Sequence, residues 1–451
     1  MADVLIVGGG LAGSEAAWQL AERGVAVRLY EMRPTRSTPA HHSAQLAELV
    51  CSNSLKSLDP STAAGTLKQE LALLGSFLIS CALAAKVQAG GALAVDREVF
   101  AAEVTARIEA HPHIELIREE LGDLDDALKH RTPIIVATGP LTSSAFEACL
   151  TRLLGKQHLA FYDAAAPIVE AASLNHDLLF AQSRYDKGSA DYLNAPLNRA
   201  QYEHFISELI TARLTLKRSF ETAELFQACQ PIEEVARKGL DTLRHGALKP
   251  VGLYDPHTQL RPWAVVQLRA ENRARSAYNL VGFQTNLSFG EQQRVFRLIP
   301  GLEQAEFSRF GVMHRNTFID APRLLAHDLS LKADSRLRFA GQITGTEGYC
   351  EAIGSGLYAA LASYAALQGR PAPVLPPEST LGSLLSYATD PQVVEYQPMH
   401  VNYGIMLPLE PSVRKKRERY TAFSRRAVES MHRFRSQNGF LEFLPSYPLL
   451  P

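Results

Sequence analysis

A glycine-rich loop within the first thirteen residues constrains the fold of this chain more than any other feature. Residues 8–13 carry glycine at the first, third and sixth positions, between an apolar run at 4–7 and a helix-forming stretch at 14–23. Glycines at this spacing let the backbone approach a pyrophosphate, and the helix N-terminus offers unpaired N–H groups to the anion. A second strand-like run ends at Glu31, where a carboxylate would meet a ribose hydroxyl. The sequence therefore predicts a βαβ unit whose dinucleotide contacts come from Gly8, Gly9, Gly10, Leu11, Ala12, Gly13 and Glu31.

Two later strand-like runs indicate which dinucleotide the loop binds. Residues 134–137 are apolar and end in the turn Thr138-Gly139, and residues 337–340 end in Gly341. In a two-part flavin fold the chain returns late to complete the cofactor site, whereas dehydrogenases that bind only NAD have no need of that return. We therefore predict FAD, in an α/β fold with a Rossmann-type FAD-binding domain and an inserted α+β second domain.

Changes in composition along the chain predict where these domains begin and end. From about residue 161 the regular patterns give way to pieces rich in proline, tyrosine and asparagine, and a proline-rich stretch resembles a linker. Before that point, residues 67–85 and 92–110 are predicted to be helical. We predict the first part of the FAD-binding domain at 1–160, the inserted domain at 161–330, the return segment at 331–370 and a C-terminal segment at 371–451.

Overall composition bears on location and on disulfide or metal chemistry. The chain has 451 residues, 46% of them hydrophobic, and a formal net charge of −1, as in ordinary soluble proteins. It has no apolar run long enough to span a bilayer and begins without a basic, cleavable leader, so we expect a cytoplasmic protein without membrane contact. Its five cysteines are scattered, with no Cys/His spacing that suits a metal, which argues against a disulfide framework and a zinc site.

Two of the cysteines are candidates for nucleophilic chemistry. Cys51 and Cys229 have polar neighbours, whereas Cys81 and Cys149 lie in apolar helical stretches. A partly exposed thiolate can add to an electron-poor carbon such as C6 of a pyrimidine. For each of the two, a small core residue without chemistry is the alternative interpretation.

Groups that could bind an anionic substrate occur in two places. His314 and Arg315 form a donor-rich pair after an apolar run, which suits the wall of a site or, alternatively, a structural histidine. Near the C-terminus begins a basic stretch of helical composition, which could follow a phosphate backbone or form a solvated helix face. Its first residues are Arg414, Lys415, Lys416 and Arg417.

Segments along nearly the whole chain, taken in order, resemble one family. They are residues 8–18, 30–34, 48–55, 90–97, 137–142, 249–253, 265–269, 280–285, 299–303, 311–318 and 339–345. The family is that of the folate- and flavin-dependent tRNA (uracil-5)-methyltransferases, or TrmFO. The resemblance implies FAD on the glycine loop, 5,10-methylenetetrahydrofolate as carbon donor and NAD(P)H as reductant. It also implies tRNA as the partner, with ribothymidine in the T-loop as product, and gives no sign of an obligate protein partner.

Carried over residue by residue, the resemblance assigns roles to particular side chains. The family's two functional cysteines fall on Cys51 and Cys229. In the implied reaction the methylene passes from folate to N5 of the reduced flavin and then to uracil C5, which becomes nucleophilic once a thiolate adds to C6. We assign that addition to Cys229, and to Cys51 either removal of the C5 proton or protection of the adduct. Flavin contacts are further predicted for Thr138, Gly139, Gly341, Gln342, Gly348 and Tyr349.

The sequence departs from the family pattern at two positions, and three alternatives stay open. Gln230 stands where the family has methionine or valine, and Cys350, beside Tyr349, is unusual there and suggests a redox-sensitive thiol. A related flavoprotein that modifies the tRNA wobble uridine is the first alternative, although those chains are generally longer. The others are a flavin-binding tRNA protein without turnover and an S-adenosylmethionine methyltransferase.

Overall fold

The computed structural model shows a mixed α/β protein with two large sheets. It describes residues 4–38, 40–155, 158–164, 166–186, 190–215, 230–393 and 396–439. Its strands are β1 Val4–Val7, β2 Val27–Tyr30, β3 Ser54–Ser57, β4 Lys86–Val87, β5 Ala92–Val95, β6 Ile114–Ile117, β7 Ile134–Val136, β8 His158–Ala164, β9 Ile168–Glu170, β10 Phe180–Ala181, β11 Tyr192–Leu197, β12 Ala264–Ala270, β13 Ala277–Leu280, β14 Phe307–Arg309, β15 Met313–Ile319, β16 Ser330–Leu331 and β17 Asp334–Phe339. Its helices are α1 Leu11–Ala21, α2 Ala63–Leu73, α3 Phe77–Ala84, α4 Arg97–Ala110, α5 Asp125–Lys129, α6 Ser144–Leu154, α7 Arg199–Thr211, α8 Ile232–Arg237, α9 Thr242–His245, α10 Phe289–Phe296, α11 Ala321–Leu324, α12 Tyr349–Leu367, α13 Thr380–Thr389 and α14 Lys416–Gln437.

The first sheet brings together strands from distant parts of the chain, in the order β16-β17-β7-β1-β2-β6. Five of these strands are parallel, and β16 pairs antiparallel with β17 at one edge. Every residue of β1 and β7 is buried, as expected for strands that are covered on both faces. The strand β17 lies beside β7, so the late return of the chain that the sequence predicts is present in the sheet.

Helices α1 and α12 approach each other closely beside this sheet because both are rich in small residues. A Cβ atom added to Gly356 would lie 2.2 Å from the carbonyl oxygen of Ala12. One added to Gly341 would lie 2.8 Å from the Ala12 Cβ. Glycine permits this backbone approach, which brings the start of α12 next to the glycine loop.

The second sheet is antiparallel, in the order β10-β11-β12-β13-β9-β14, and all its strands lie between residues 168 and 309. Its core includes the aromatic side chains of Phe205, Phe283 and Phe296, which α7 and α10 help to enclose. A separate three-stranded sheet, in the order β3-β5-β4, meets the second sheet at Asn53, directly before β3. The Asn53 amide donates to the carbonyl of Ala270 at 3.0 Å and accepts from Arg269 Nε at 2.7 Å.

The structure corrects two of the predicted helices. The helical stretch predicted at 67–85 is divided between α2 and α3, because the Glu15 carboxylate accepts from the amides of Phe77 and Leu78 and starts a new helix there. In the stretch predicted at 92–110, the first four residues form β5, which pairs with β3 and β4. The helix α4 begins only after Asp96, whose side chain accepts from the amide of Val99 and caps it.

The C-terminal helix α14 packs against the body of the protein along one face. Its buried apolar side chains, Phe423, Ala427, Met431 and Phe434, follow helical spacing. Arg435 also donates to the carbonyl of Leu73, at the end of α2, at 3.0 Å. Among the described helices, none alone has the length and apolar composition of a membrane span, although α2 and α3 would qualify as a pair bent by 113°.

Candidate functional site

The glycine loop has the geometry that its sequence predicts. Gly8 has a φ of +101°, and a Cβ atom there would lie 2.5 Å from the Ala137 carbonyl oxygen on the neighbouring strand. At Gly13 a Cβ atom would lie 1.8 Å from the Gly8 carbonyl oxygen. At Gly10, in contrast, none of the described residues places an atom within 4 Å of the Cβ position, and this glycine lines an open pocket. Two glycines therefore shape the loop, and the third leaves room for a ligand.

Glu31 is held at the end of β2 by its neighbours. Its carboxylate accepts from the Gly9 amide at 3.0 Å and from Arg33 Nε at 2.8 Å. Arg33 also pairs with Glu48 at 2.8 Å. Burial alone would raise the pKa of Glu31, but the bonds from Arg33 and Gly9 hold it below its usual value. The carboxylate is therefore charged and can accept from a ribose hydroxyl. The sequence analysis did not predict a role for Arg33 at this site. Its position two residues after Glu31 is the sequence signal from which a partner for that carboxylate could have been predicted.

The pocket above the loop is a cleft between β1, β2, β7 and the start of α12, with about 980 Å³ of empty space when the open solvent at its mouth is included. Eleven of the thirteen predicted cofactor residues line it: Gly8, Gly10, Leu11, Ala12, Glu31, Thr138, Gly139, Gly341, Gln342, Gly348 and Tyr349. Sequence reasoning missed other lining residues, among them Tyr30, Met32, His41, Val50, Leu141 and Phe146. The open cradle at Gly10 and the carboxylate at Glu31 fit a dinucleotide such as FAD.

The return segment closes the pocket with a second glycine turn. Gly341 has a φ of +81°, and its amide donates to the Ser355 hydroxyl at 2.7 Å. Gln342 donates to both carboxylate oxygens of Glu347 at 2.7 Å, which fixes its amide at the pocket wall. At Gly348, with a φ of +112°, a Cβ atom would lie 2.2 Å from a Glu351 carboxylate oxygen. Glycine is therefore required directly before Tyr349.

Cys51 lies at the edge of this pocket, on a short segment whose backbone is held by side chains from three distant elements. Its amide donates to the Tyr349 hydroxyl at 2.9 Å, and its carbonyl accepts from Arg97 Nη2 at 2.8 Å. The preceding carbonyl, of Val50, accepts from Arg309 Nη2 at 2.7 Å. Since Val50 and Tyr349 both line the pocket, the half-buried Cys51 is fixed beside the place where a cofactor would lie.

The surroundings of Cys51 are rich in arginine. Arg97 pairs with Glu271 at 2.6 Å, whereas burial lowers the pKa of both Arg269 and Arg309. Reactive cysteines generally occupy such partly exposed, electropositive places. Burial, followed by the charge at Cys51, raises the pKa of Tyr349, so its hydroxyl remains protonated.

The structure argues against a redox-sensitive thiol at Cys350. This residue is 4% exposed, and its Sγ donates to the carbonyl of Leu55 at 3.8 Å. Burial raises the pKa of the Cys350 thiol. A buried thiol of this kind is poorly reactive, because the thiolate is the reactive form.

Other predicted site residues lie apart from the pocket or outside the described part of the chain. Cys229 lies outside the described residues. His314 and Arg315 belong to strand β15, and their side chains lie outside the description. The basic group Arg414, Lys415, Lys416 and Arg417 is exposed at the start of α14.

The pocket wall contains a histidine whose titration predicts acid sensitivity. His41 Nδ1 lies 2.8 Å from the Thr38 hydroxyl, and burial, followed by the charge of Arg33, lowers the pKa of His41 to about 4. Between this value and 6.5 the unfolded chain binds a proton that the folded chain does not, so the free energy of unfolding falls as the pH falls. We expect a loss of about 2 kcal/mol at pH 5 relative to pH 8.

The measurement is the pH dependence of unfolding between pH 8 and pH 5 for the wild type and His41→Gln. The variant should show a shallower decline than the wild type. Equal slopes for His41→Gln and the wild type would contradict the assignment.

Comparison with known proteins connects this site to a family. A family model described as glucose inhibited division protein A matches residues 3–371. Two relatives are named methylenetetrahydrofolate–tRNA-(uracil-5-)-methyltransferase TrmFO. The one from Heliobacterium modesticaldum is 51% identical, over 96% of this chain and 98% of its own length. The one from Moorella thermoacetica is 52% identical, over 94% of this chain and 97% of its own length. A solved structure of Aquifex aeolicus GidA shares the fold, with a TM-score of 0.71, 16% identity, and coverage of 99% of this chain and 77% of that one. Since the first two relatives are about half identical over nearly their whole length, this chain belongs to the TrmFO family of methylenetetrahydrofolate–tRNA-(uracil-5-)-methyltransferases, within the broader family of glucose inhibited division protein A.

Proposed function

We propose that this chain methylates C5 of a uracil in tRNA with the carbon of 5,10-methylenetetrahydrofolate, and that the target is the T-loop uridine. FAD is the resident cofactor, NAD(P)H is the reductant, and the place of action is the cytoplasm. The observation that carries the proposal is the contact between the Cys51 amide and the Tyr349 hydroxyl, 2.9 Å long, at the rim of a pocket that fits a dinucleotide. A cysteine fixed beside such a pocket suits chemistry in which a cofactor and a thiol act on one substrate.

The residues that would hold FAD are those of the glycine loop, Glu31, and the two later turns. Gly10 leaves space for the pyrophosphate at the N-terminus of α1, and the charged Glu31 would accept from a ribose hydroxyl. Thr138, Gly139, Gly341 and Gln342 would flank the remainder of the cofactor. Bound FAD would supply the carrier for the one-carbon unit and the hydride that completes the methyl group.

The two cysteines would act on opposite ends of the uracil C5–C6 bond. Addition of the Cys229 thiolate to C6 moves the electron pair of the double bond to C5, which then attacks the electrophilic methylene carbon. Cys51 would accept the proton that C5 loses or protect the adduct. Loss of that proton would break the C–N bond by which the methylene carbon was carried and leave an exocyclic methylene on C5. Hydride would then add to this carbon to make the methyl group, and the electron pair would restore the C5=C6 double bond as the Cys229 sulfur leaves C6. The thiolate is thus regenerated, and the electrons of the hydride come ultimately from NAD(P)H.

The arginines around Cys51 support this part of the proposal. Arg97 holds the Cys51 carbonyl and pairs with Glu271, while Arg309 holds the carbonyl of Val50. These bonds fix the backbone on both sides of the sulfur, so that the thiol keeps its position when a substrate enters. Their positive charge also favours the approach of an RNA phosphate backbone.

The start of α14 is the proposed contact for the tRNA backbone. Lys415 is the N-cap residue, Lys416 and Arg417 follow in the first turn, and all three are exposed. Cations at the positive end of a helix dipole are destabilising in isolation, whereas an anion bound there would stabilise the arrangement. The opposite face of α14 is buried, so the helix is held rigidly with its basic side outward.

This assignment predicts a salt-dependent defect. The double variant Lys416→Glu/Arg417→Glu should weaken tRNA binding at least about 10-fold and reduce the slope of log affinity against log salt concentration by about 2, because two phosphate contacts are lost. Flavin content and NADPH oxidation without tRNA should stay unchanged. The measurement is filter binding at several salt concentrations.

A matched control is Lys129→Glu/Arg152→Glu, which reverses two exposed charges outside α14. It should keep the wild-type slope. If both double variants behave alike, α14 is not the contact and the basic residues form a solvated helix face.

The function itself is tested with purified protein, methylenetetrahydrofolate, NADPH and unmodified tRNA. We expect a visible flavin spectrum and ribothymidine in the digested tRNA, and no ribothymidine when the T-loop uridine is replaced by cytidine. A colourless protein, or modification of the wobble uridine alone, would contradict the proposal.

A further inference from the structure

A stack of phenylalanine rings ends on the surface near the Cys51 segment. Phe307 and Phe310 have ring centroids 5.3 Å apart and an interplanar angle of 10°. Phe310 and Phe289 continue the stack at 4.7 Å and 16°. Phe289 is 52% exposed, and the ring is the outermost of the three. We call these three side chains the phenylalanine stack.

The stack is rigidly supported from below. Phe307 contacts the core ring of Phe296 at a centroid distance of 6.5 Å. The buried side chain of Gln292 donates to the Gly311 carbonyl and accepts from the Gly311 amide, each at 2.8 Å. This two-way bond joins α10, which carries Phe289, to the segment that carries Phe310. The parallel arrangement of the Phe289 and Phe310 rings is therefore stabilised by this link between their backbone segments as well as by the contact between the rings.

The stack lies close to the chemistry proposed for this chain. Arg309, between Phe307 and Phe310 in sequence, reaches the carbonyl of Val50, next to Cys51, at 2.7 Å. A residue between two members of the stack in sequence thus contacts the segment that carries Cys51. The residues just before α10 also contact described residues on both sides of the segment that carries Cys229. The Thr215 amide donates to the Asn286 carbonyl at 2.8 Å, and the Ile232 amide donates to the Gln284 carbonyl at 2.7 Å.

An exposed phenylalanine that completes a parallel stack offers a flat face for another flat ring. Proteins that bind single-stranded or looped RNA use such aromatic faces, because every base has a π surface and stacks without regard to sequence. An uncharged face near the half-buried Arg309 suits a base whose phosphate lies towards that side chain. A loop uridine must leave its stack to reach a cysteine, and its neighbours then need a substitute partner.

We propose that Phe289, supported by Phe310, stacks on a nucleobase of the tRNA that flanks the methylated uridine. The inference rests on the proposed function, since it requires tRNA to approach the Cys51 segment. It assigns to the phenylalanine stack a binding role that is separate from the bond-making steps. Phe289 is a positioning residue: it would hold the loop open while the target base is in the pocket.

The test compares Phe289→Leu with Phe289→Trp in the full-length holoenzyme, with unmodified tRNA as the probe. Loss of one stacked base should raise the KM for tRNA and the Kd about 10-fold, with little change in kcat. The tryptophan variant should restore binding, because it keeps a π face. Tyr254→Leu, which removes another exposed aromatic ring in the same sheet domain, is the matched control and should bind like the wild type.

A second measurement identifies the base. Full-length tRNA is prepared with an abasic nucleotide on one or the other side of the target uridine. At one of these positions the abasic change should weaken binding to the wild type about 10-fold and have little further effect on Phe289→Leu, because both changes remove the same contact.

Additive effects at both positions, or an unchanged KM and Kd for Phe289→Leu, would overturn the inference. So would a Phe289→Leu variant that melts at lower temperature without a binding defect, since the ring would then serve the folded state alone. Failure of the proposed function is distinguishable, because in that case the wild type itself forms no ribothymidine.

Discussion

Replacement of Cys229 by alanine is expected to abolish ribothymidine formation, with a rate loss of about 1,000-fold or more. The reason is that C5 of uracil is a poor nucleophile until a thiolate adds to C6. The same variant should form no covalent complex with tRNA that contains 5-fluorouridine, because the fluorine blocks loss of the C5 substituent only after the sulfur has added. The measurements are nucleoside analysis and denaturing gel electrophoresis of the protein–RNA complex.

Cys51→Ala separates the two roles. It should lower methylation by about 100-fold or more, as for loss of a general base, yet still form the covalent complex through Cys229. Cys149→Ala, which changes a buried cysteine outside the pocket, is the control and should retain activity. If Cys229→Ala traps the fluorinated tRNA and Cys51→Ala does not, the two assignments are reversed.

Gly10→Val is expected to eliminate FAD binding, with an affinity loss of about 100-fold or more, while the chain still folds. The backbone of Gly10 has a φ of −74°, which any residue can adopt, and no atom in the described part of the chain lies within 4 Å of its Cβ position. The new side chain would therefore occupy the space left for the pyrophosphate without disturbing the protein. Flavin absorbance after purification and titration of the apoprotein with FAD measure the effect.

Two further glycine variants make this prediction specific. Gly91→Val places the same side chain in open space outside the pocket and should keep FAD. Gly13→Ala places a Cβ atom 1.8 Å from the Gly8 carbonyl oxygen, so it should lower the melting temperature of the apoprotein as well as the flavin content. A Gly10→Val protein that remains yellow with wild-type affinity would contradict the proposed position of the pyrophosphate.

The sequence predicts the geometry of the glycine loop because the requirements of such a loop are local. The turn at Gly8, the close contact at Gly13 and the carboxylate at Glu31 all lie within one βαβ unit. The late strand β17 is also predicted, since a buried strand followed by Gly341 has a recognisable local pattern. Its consequence, a second glycine turn at the pocket, follows from the parallel pairing with β7.

Local patterns were less informative where tertiary contacts decide the conformation. Residues 92–95 have the composition of a helix, yet they form β5 because β3 and β4 pair with them. The break between α2 and α3 depends on the buried Glu15 carboxylate, which comes from another helix. The strand β4 directly precedes β5, but β3 and Glu15 are both far in sequence from the segments that they change.

The sequence by itself determined the dinucleotide loop, the α/β class, and the family from which we predict roles for Cys51 and Cys229. Only the tertiary structure decided that Arg97, Arg309 and Tyr349 hold the Cys51 segment, and that Phe307, Phe310 and Phe289 form a stack. The physical reason is the range of the interactions. A backbone turn or a buried strand leaves a pattern in neighbouring residues, whereas a site assembled by side chains that are hundreds of residues apart leaves none.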